Sequence, residues 1–199
     1  MKAQRDKVKE LLDQSPMITS AQSAIIGIDS KTLSRMTDDG EINRIARGLY
    51  TSADYIPGTY HSFIEACKVI DNGVICLLSA IAFHEIGTQN PSEIWMAIPR
   101  RSRKPQMKEL PLRITQFTGD SYSKGMEQRT VDGAEIKVYN IPKTIADCFK
   151  YRNKIGLSVA IEALKDVIHS NRASIDDIIY YARICRVQEV IRPYMESIV

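Results

Sequence analysis

The stretch from Thr19 to Thr51 limits what this chain can fold into more than any other part of it. A short apolar run, Ala24-Ile25-Ile26, is broken by Gly27. Asp29 and Ser30 follow, and either supplies the side-chain oxygen that caps a helix. On a helical wheel Leu33 and Met36 share one side, with Thr32 between them, while Ser30, Lys31, Ser34 and Arg35 fall on the other. Asp38-Asp39-Gly40 ends that helix, and Arg44 and Arg47 flank a turn closed by Gly48. Helix, tight turn, helix and small hairpin is the order of a winged helix-turn-helix.

A face of cations and hydroxyls opposite an apolar face is what a helix needs to read the DNA major groove, so Ser30, Lys31, Ser34 and Arg35 are the candidate readers. Arg44 and Arg47, at the wing, would touch phosphate or enter the minor groove. The competing reading is a plain helical hairpin and β-turn whose charges only solvate it. One detail favours that alternative: Ile42 and Ile45 lie three apart, which a regular strand sends to opposite faces. Taken together, the residues favour the winged module.

At 199 residues with 44% hydrophobic content, the chain suits one domain or two small ones with a real core. A net charge of +3 is too small for a bulk electrostatic binder, so any nucleic-acid contact must come from local patches. Residues 1–52 hold eight cations and seven carboxylates, a net +1, so placement matters there and quantity does not. Cys67, Cys76, Cys148 and Cys185 lie far apart with no C-x-x-C pair, and His61, His84 and His169 are equally scattered. No metal-ligand spacing results, no cofactor is expected, and buried free thiols in a reducing compartment are the expectation. MKAQRDKVKELL lacks the apolar core of a signal peptide, and no apolar run has the length of a membrane span, so a cytoplasmic protein is expected.

The fold class expected is α+β: an N-terminal winged helix-turn-helix, then a larger α+β domain with a small sheet and a helical C-terminus. Gln4 to Gln14 reads as the opening helix, with Val8, Leu11 and Leu12 as its apolar stripe. Tyr55-Ile56-Pro57-Gly58 is the best boundary, giving a DNA-binding domain over residues 1–55 and a second domain over 58–199. Ser62 to Val69 reads as helix, and Val74 to Glu85 as one buried helix. Ile94–Ile98, Leu112–Phe117 and Ala134–Tyr139 read as strands. Helices follow over Lys143–Tyr151, Ser158–His169 with Ser158 as cap, Ile175–Cys185 and Val187–Ile198.

Catalytic patterns are absent. Gly119 and Gly125 are isolated, so there is no phosphate loop, and Ser79 has no nucleophile-elbow glycines. Asp147 beside Cys148 invites a nucleophile with His84 as partner. The better reading pairs Asp147 locally with Lys143 or Arg152 and packs Cys148 inside. A second basic feature is the run Arg100-Arg101-Ser102-Arg103-Lys104 between Pro99 and Pro105, continued by Lys108 and Arg113 against the single acid Glu109. It reads as an extended loop, either solvated or contacting phosphate or a partner, and the two are evenly balanced.

Several blocks together carry a family resemblance. They are Arg47-Gly48-Leu49-Tyr50, then Val74 to Ala80 with His84 after it, then Ile94 to Arg100. The most specific runs from Val138 through Lys143-Thr144, Asp147-Cys148-Phe149 and Tyr151-Arg152 to Ala160–Leu164. Across nearly its full length the chain resembles the AbiEi family of bacterial abortive-infection antitoxins. The resemblance implies a winged helix that binds inverted repeats upstream of its own operon and represses it. It also implies a C-terminal domain that neutralises a nucleotidyltransferase-like toxin, in a type IV arrangement where the two proteins need not touch. The expected partners are therefore double-stranded operator DNA and that toxin, with the protein a monomer or a DNA-assembled dimer. A non-enzymatic, DNA-binding autorepressor with antitoxin function ranks first. A protein-interaction module that sequesters an enzyme directly through its helical C-terminus ranks second. An enzyme using Asp147, Glu162 or His84 ranks last, since no acid/base cluster surrounds them.

Overall fold

A computed structural model describes residues 2–105 and 110–198, so Lys108 and Glu109 of the basic run lie outside the described residues. The chain packs into two compact units, residues 1–71 with 129–136, and residues 72–128 with 137–199. The expected domain 1–55 lies inside the first unit, which continues through Asp71 and takes in 129–136.

In the first unit α1 (Lys2–Gln14) leads to β1 (Ile18–Thr19), α2 (Ser20–Ile25), α3 (Ser30–Asp38), β2 (Ile42–Ala46), β3 (Leu49–Ser52) and α4 (His61–Val69). The three strands form one antiparallel sheet in the order β1-β3-β2. Helix, strand, two helices and a hairpin that picks up the first strand is the winged helix-turn-helix topology. Two residues in β1 are too few for a periodic pattern, so no sign of the strand that completes the sheet is present in the sequence. The awkward spacing of Ile42 and Ile45 is resolved by an irregularity in pairing between Arg44 and Ala46. An extra residue there shifts the inward alternation, so Ile42 and Ala46 are buried while Ile45 is half-exposed. Val8, Ile18, Ile28, Leu33, Met36, Ile42 and Tyr50 make the core, with Leu11 and Leu12 packed on it. Within the same unit the hairpin tip meets the winged part. A Cβ on Gly133 would meet Pro16 at 3.7 Å, and one on Gly58 would clash with the Asp132 carboxylate.

The second unit holds β4 (Val74–Ile75), α5 (Leu77–Phe83), β5 (Ile94–Pro99), β6 (Leu112–Phe117), α6 (Asp120–Ser123), β7 (Met126–Val131), β8 (Ala134–Tyr139) and α7 (Ile141–Lys150). The helical end is α8 (Arg152–Ile155), α9 (Leu157–His169), α10 (Ile175–Cys185) and α11 (Gln188–Glu196). The sheet is mixed, in the order β6-β5-β4-β8-β7, with β5 parallel to β6, β4 antiparallel to β5 and β4 parallel to β8. The far ends of β7 and β8 are the residues counted with the first unit.

Three sequence expectations need correction. Val74 to Glu85 is not one helix: the β-branched pair Val74-Ile75 joins the sheet, and only the Leu/Ala-rich remainder is helical. Helix α9 starts one residue before Ser158, after Gly156 at φ 97°, and no side chain caps it. The run after Pro99 is a tight turn rather than an extended loop, because the Ser102 N–H donates to the Pro99 carbonyl at 2.9 Å.

Candidate nucleic-acid interface

The first turn of α3 is set by Asp29, whose carboxylate accepts the Thr32 N–H at 2.6 Å. That hydrogen bond holds the Asp29 carboxyl below the usual carboxylate range. Gly27, at φ 81°, makes the bend between α2 and α3 in a conformation that side chains disfavour. The bend is pinned to α1, where Gln4 Nε2 donates to the Gly27 carbonyl at 3.0 Å and Lys7 Nζ to that of Ile26 at 3.3 Å. Gln4 also accepts from Thr32 Oγ1 at 2.6 Å. Both the start of α3 and the bend before it are thus held by side chains.

With Thr32, Leu33 and Met36 buried, the residues left outward are Ser30, Lys31, Ser34 and Arg35, all exposed. The structure brings this expected set together on one helical face. The charge balance near it is sorted. Arg5 bridges Asp39 and Glu41, and Lys9 meets Glu41 at 2.9 Å, so these carboxylates are engaged by α1. Lys9 and Arg5 in turn hold the Glu41 carboxyl low. A net +1 therefore conceals an arrangement in which Asp39 and Glu41 are paired with cations of α1 and Lys31 on α3 is not among those cations.

Arg44 and Arg47 are exposed on the wing. Arg47 and Gly48 form its two-residue turn, between the paired Ala46 and Leu49. Gly48 sits at φ 75°, and a Cβ there would meet Ser20 Oγ at 2.7 Å. The Gly48 carbonyl accepts the Ser20 N–H at 2.8 Å, beside the Thr19–Gln22 capping box of α2. So the wing turn is tied to the start of α2, and Arg47 is carried on a braced turn. Arg44 Nε reaches the Ala46 carbonyl at 3.4 Å across the irregular pairing.

The residues weighed for catalysis have other occupations. Lys143 and Asp147, one turn apart on α7, form a buried ion pair, and Cys185 Sγ donates to Asp147 Oδ1 at 3.2 Å. Lys143 Nζ lies 4.2 Å from the Tyr139 ring centre and 4.8 Å from that of Phe117. Burial pushes the Asp147 carboxyl up, and the Lys143 ammonium pulls it back only in part. Burial also raises the Cys148 thiol and pushes that of Cys185 up to about 12, so neither is a thiolate at neutral pH. His84 Nε2 donates to the Tyr139 carbonyl at 2.7 Å, and Glu162 accepts from Thr88 N and Oγ1 at 2.9 and 2.8 Å. Ser79 Oγ accepts the Trp95 N–H at 2.8 Å, so it serves the neighbouring strand rather than its own helix. Among the described residues, no group of three or more His, Cys, Asp or Glu is placed to hold a metal ion, and no helix is long and apolar enough to cross a membrane.

The Arg100, Arg101, Arg103 and Lys104 side chains lie on the second unit, and all four are exposed. Their backbone is held by Gln116 Nε2, which donates to the carbonyls of Arg100 at 3.0 Å and Ser102 at 3.1 Å.

The first unit is thus of the winged helix-turn-helix class, within a mixed α+β protein. Residues 6–53, which span that module, match the family described as "Transcriptional regulator, AbiEi antitoxin". The resemblance read from the sequence is met over those residues. A crystal structure of the RV2827C protein from Mycobacterium tuberculosis shares the fold, with a TM-score of 0.59 at 11% identity over 90% of this chain and 71% of that one. No curated protein matches the chain.

Proposed function

We propose that the protein is a cytoplasmic, non-enzymatic transcriptional autorepressor and antitoxin. Its winged module, residues 1–55, binds operator DNA upstream of its own operon, and residues 58–199 counteract a nucleotidyltransferase-like toxin. The observation that carries the reading is the Asp29-capped helix α3, with Ser30, Lys31, Ser34 and Arg35 outward and a braced Arg47 turn on the wing. That constellation lies in the segment, residues 6–53, matched by a family of antitoxin transcriptional regulators. Helix α3 lies in the major groove, and Arg44 and Arg47 engage phosphate or the minor groove. Inverted repeats are read by two monomers that meet on the DNA.

The test is a gel shift with the chain's own upstream DNA against an unrelated fragment of equal length. Preferential retardation of the upstream fragment supports the reading, and equal retardation removes it. An apolar groove of about 460 Å³ between α10 and α11, lined by Ile175, Ile179, Ile191 and Met195, favours a second reading. In that reading the helical end holds the toxin directly. Co-purification of a stable toxin complex, without operator binding, selects it.

A further inference from the structure

The basic run beginning at Arg100 plays no part in the winged module, and its placement gives it a separate role. Its turn is held by hydrogen bonds: Arg100 N–H donates to the Phe117 carbonyl at 2.9 Å, and Gln116 Nε2 donates to the turn from the next strand. Arg100 and Arg101 line a cavity of about 710 Å³ with Thr118, Gly119 and Tyr122. Across Thr118 and Gly119 lies an adjoining cavity of about 880 Å³, into whose wall Lys150, Ser121 and Arg186 are built. Four cations from three separate segments thus surround one turn, against the single carboxylate of Asp120. All of it belongs to the second unit.

The backbone and one aromatic ring at this groove are fixed in ways that bear on binding. Arg186 holds a left-handed backbone, φ 59° and ψ 44°, at the junction of α10 and α11, where glycine would be unstrained. Gly119 lies at φ 49° with nothing within 4 Å of where a Cβ would be, so its backbone is bare to both cavities. Tyr122 is half-buried, its hydroxyl fixed on the Asn72 carbonyl at 2.7 Å, and it offers a held aromatic ring at the arginine side.

We infer that this groove binds a nucleoside di- or triphosphate. Arg100 and Arg101 take the phosphates with Lys150 and Arg186 completing the charge, and the base stacks on the Tyr122 side. The cavities have the size of small-molecule sites, and their cations gather round a single turn instead of forming the track a nucleic-acid strand follows. The site is independent of operator binding.

Calorimetric titration of the full chain with each of ATP, GTP, CTP and UTP tests this, beside tripolyphosphate, free nucleosides and a short single-stranded oligonucleotide. At least one nucleotide binds with a Kd below about 1 mM, more tightly than tripolyphosphate, while nucleosides do not bind. Arg100→Ala with Arg101→Ala weakens it by about tenfold or more. Arg186→Gly is the sharper variant: it raises Tm by relieving the left-handed backbone and yet weakens nucleotide binding about tenfold. A purely structural role for Arg186 would give the first change without the second. Failure of every nucleotide to bind, affinity unmoved by both variants, tripolyphosphate binding equal to the nucleotides, or tighter binding of the oligonucleotide would each overturn the assignment. None of these outcomes bears on the gel shift.

Discussion

The carboxylate of Asp29 accepts the backbone N–H of Thr32 at 2.6 Å, and this side-chain cap marks where helix α3 begins. Lys31 and Ser30 lie in the turn it closes, so their positions depend on it. Asp29→Ala should lower the Tm by roughly 4–8 °C, as loss of a helix cap does in a small unit. Operator affinity should fall further than the Tm change alone explains, and Asp29→Ser should restore both. Calorimetry and a gel shift on the three proteins check this.

Replacing Lys31 and Arg35 by Ala removes the two cations of the outward face while leaving Thr32, Leu33 and Met36 in the core. Operator binding should weaken by about 1–3 kcal/mol for each base-edge hydrogen-bonding pair removed. The circular dichroism spectrum and Tm should stay as in the parent. Unchanged affinity with intact spectra would remove α3 from the groove.

Wing arginines should act differently. Arg44→Ala and Arg47→Ala should weaken specific and non-specific binding alike, each reducing the slope of log affinity against log salt by about 0.9 per phosphate no longer neutralised. Because Gly48 is bonded to Ser20, neither change should unfold the wing. If Arg47→Ala instead abolishes sequence discrimination at constant salt slope, the wing reads bases.

Much of this site is legible because its determinants are local. The Asp29 cap, the Leu33/Met36 stripe and the Gly48 turn each declare themselves within four residues. The longer helices of the second unit, with strands β5, β6 and β8, follow from period for the same reason. What escapes depends on distant pairing. Strand β1 exists because β3 binds it, and β4 merges into a helical reading because Val74 and Ile75 abut a helix-forming run. The hairpin of β7 and β8 carries a readable signal, Asp132-Gly133 between two strands, with φ 47° and 75°. Nothing local, however, says that its tip joins residues 1–71, since that follows from tertiary contact. The cation-lined groove is equally hidden: Arg100, Lys150 and Arg186 are far apart in sequence, and only the fold gathers them.

The winged unit should be acid-labile. Hydrogen bonding to Thr32 lowers the Asp29 carboxyl below 3.8, Lys9 lowers that of Glu41 below 4.5, and Ser52 lowers that of Asp54 below 3.8. Each of these groups binds its proton more weakly folded than unfolded. Their stabilisation is therefore present above about pH 4.5 and lost as pH falls through the folded values. Chemical unfolding from pH 7 to 3 should show a decline below about pH 4.5, smaller in Glu41→Gln, where one of the three groups no longer titrates.

The buried pair of Lys143 and Asp147 makes the strongest stability claim in the second unit. Both side chains are essentially inaccessible, and removing one leaves an uncompensated charge. Lys143→Met should destabilise by about 3–5 kcal/mol, whereas Lys143→Met with Asp147→Leu should recover most of that loss. The single variant also carries a pH signature. Burial is then opposed only by the Cys185 thiol and the Lys150 ammonium at Asp147, whose carboxyl is already raised with the Lys143 ammonium present. A carboxyl raised in the folded state favours folding at low pH, and that advantage disappears as pH rises through its folded value. Measured against the double variant, which has no carboxyl at position 147, Lys143→Met should therefore lose stability progressively as pH rises from about 5 to 8. A gap independent of pH would mean that Asp147 stays ionised without its partner, contrary to the burial argument.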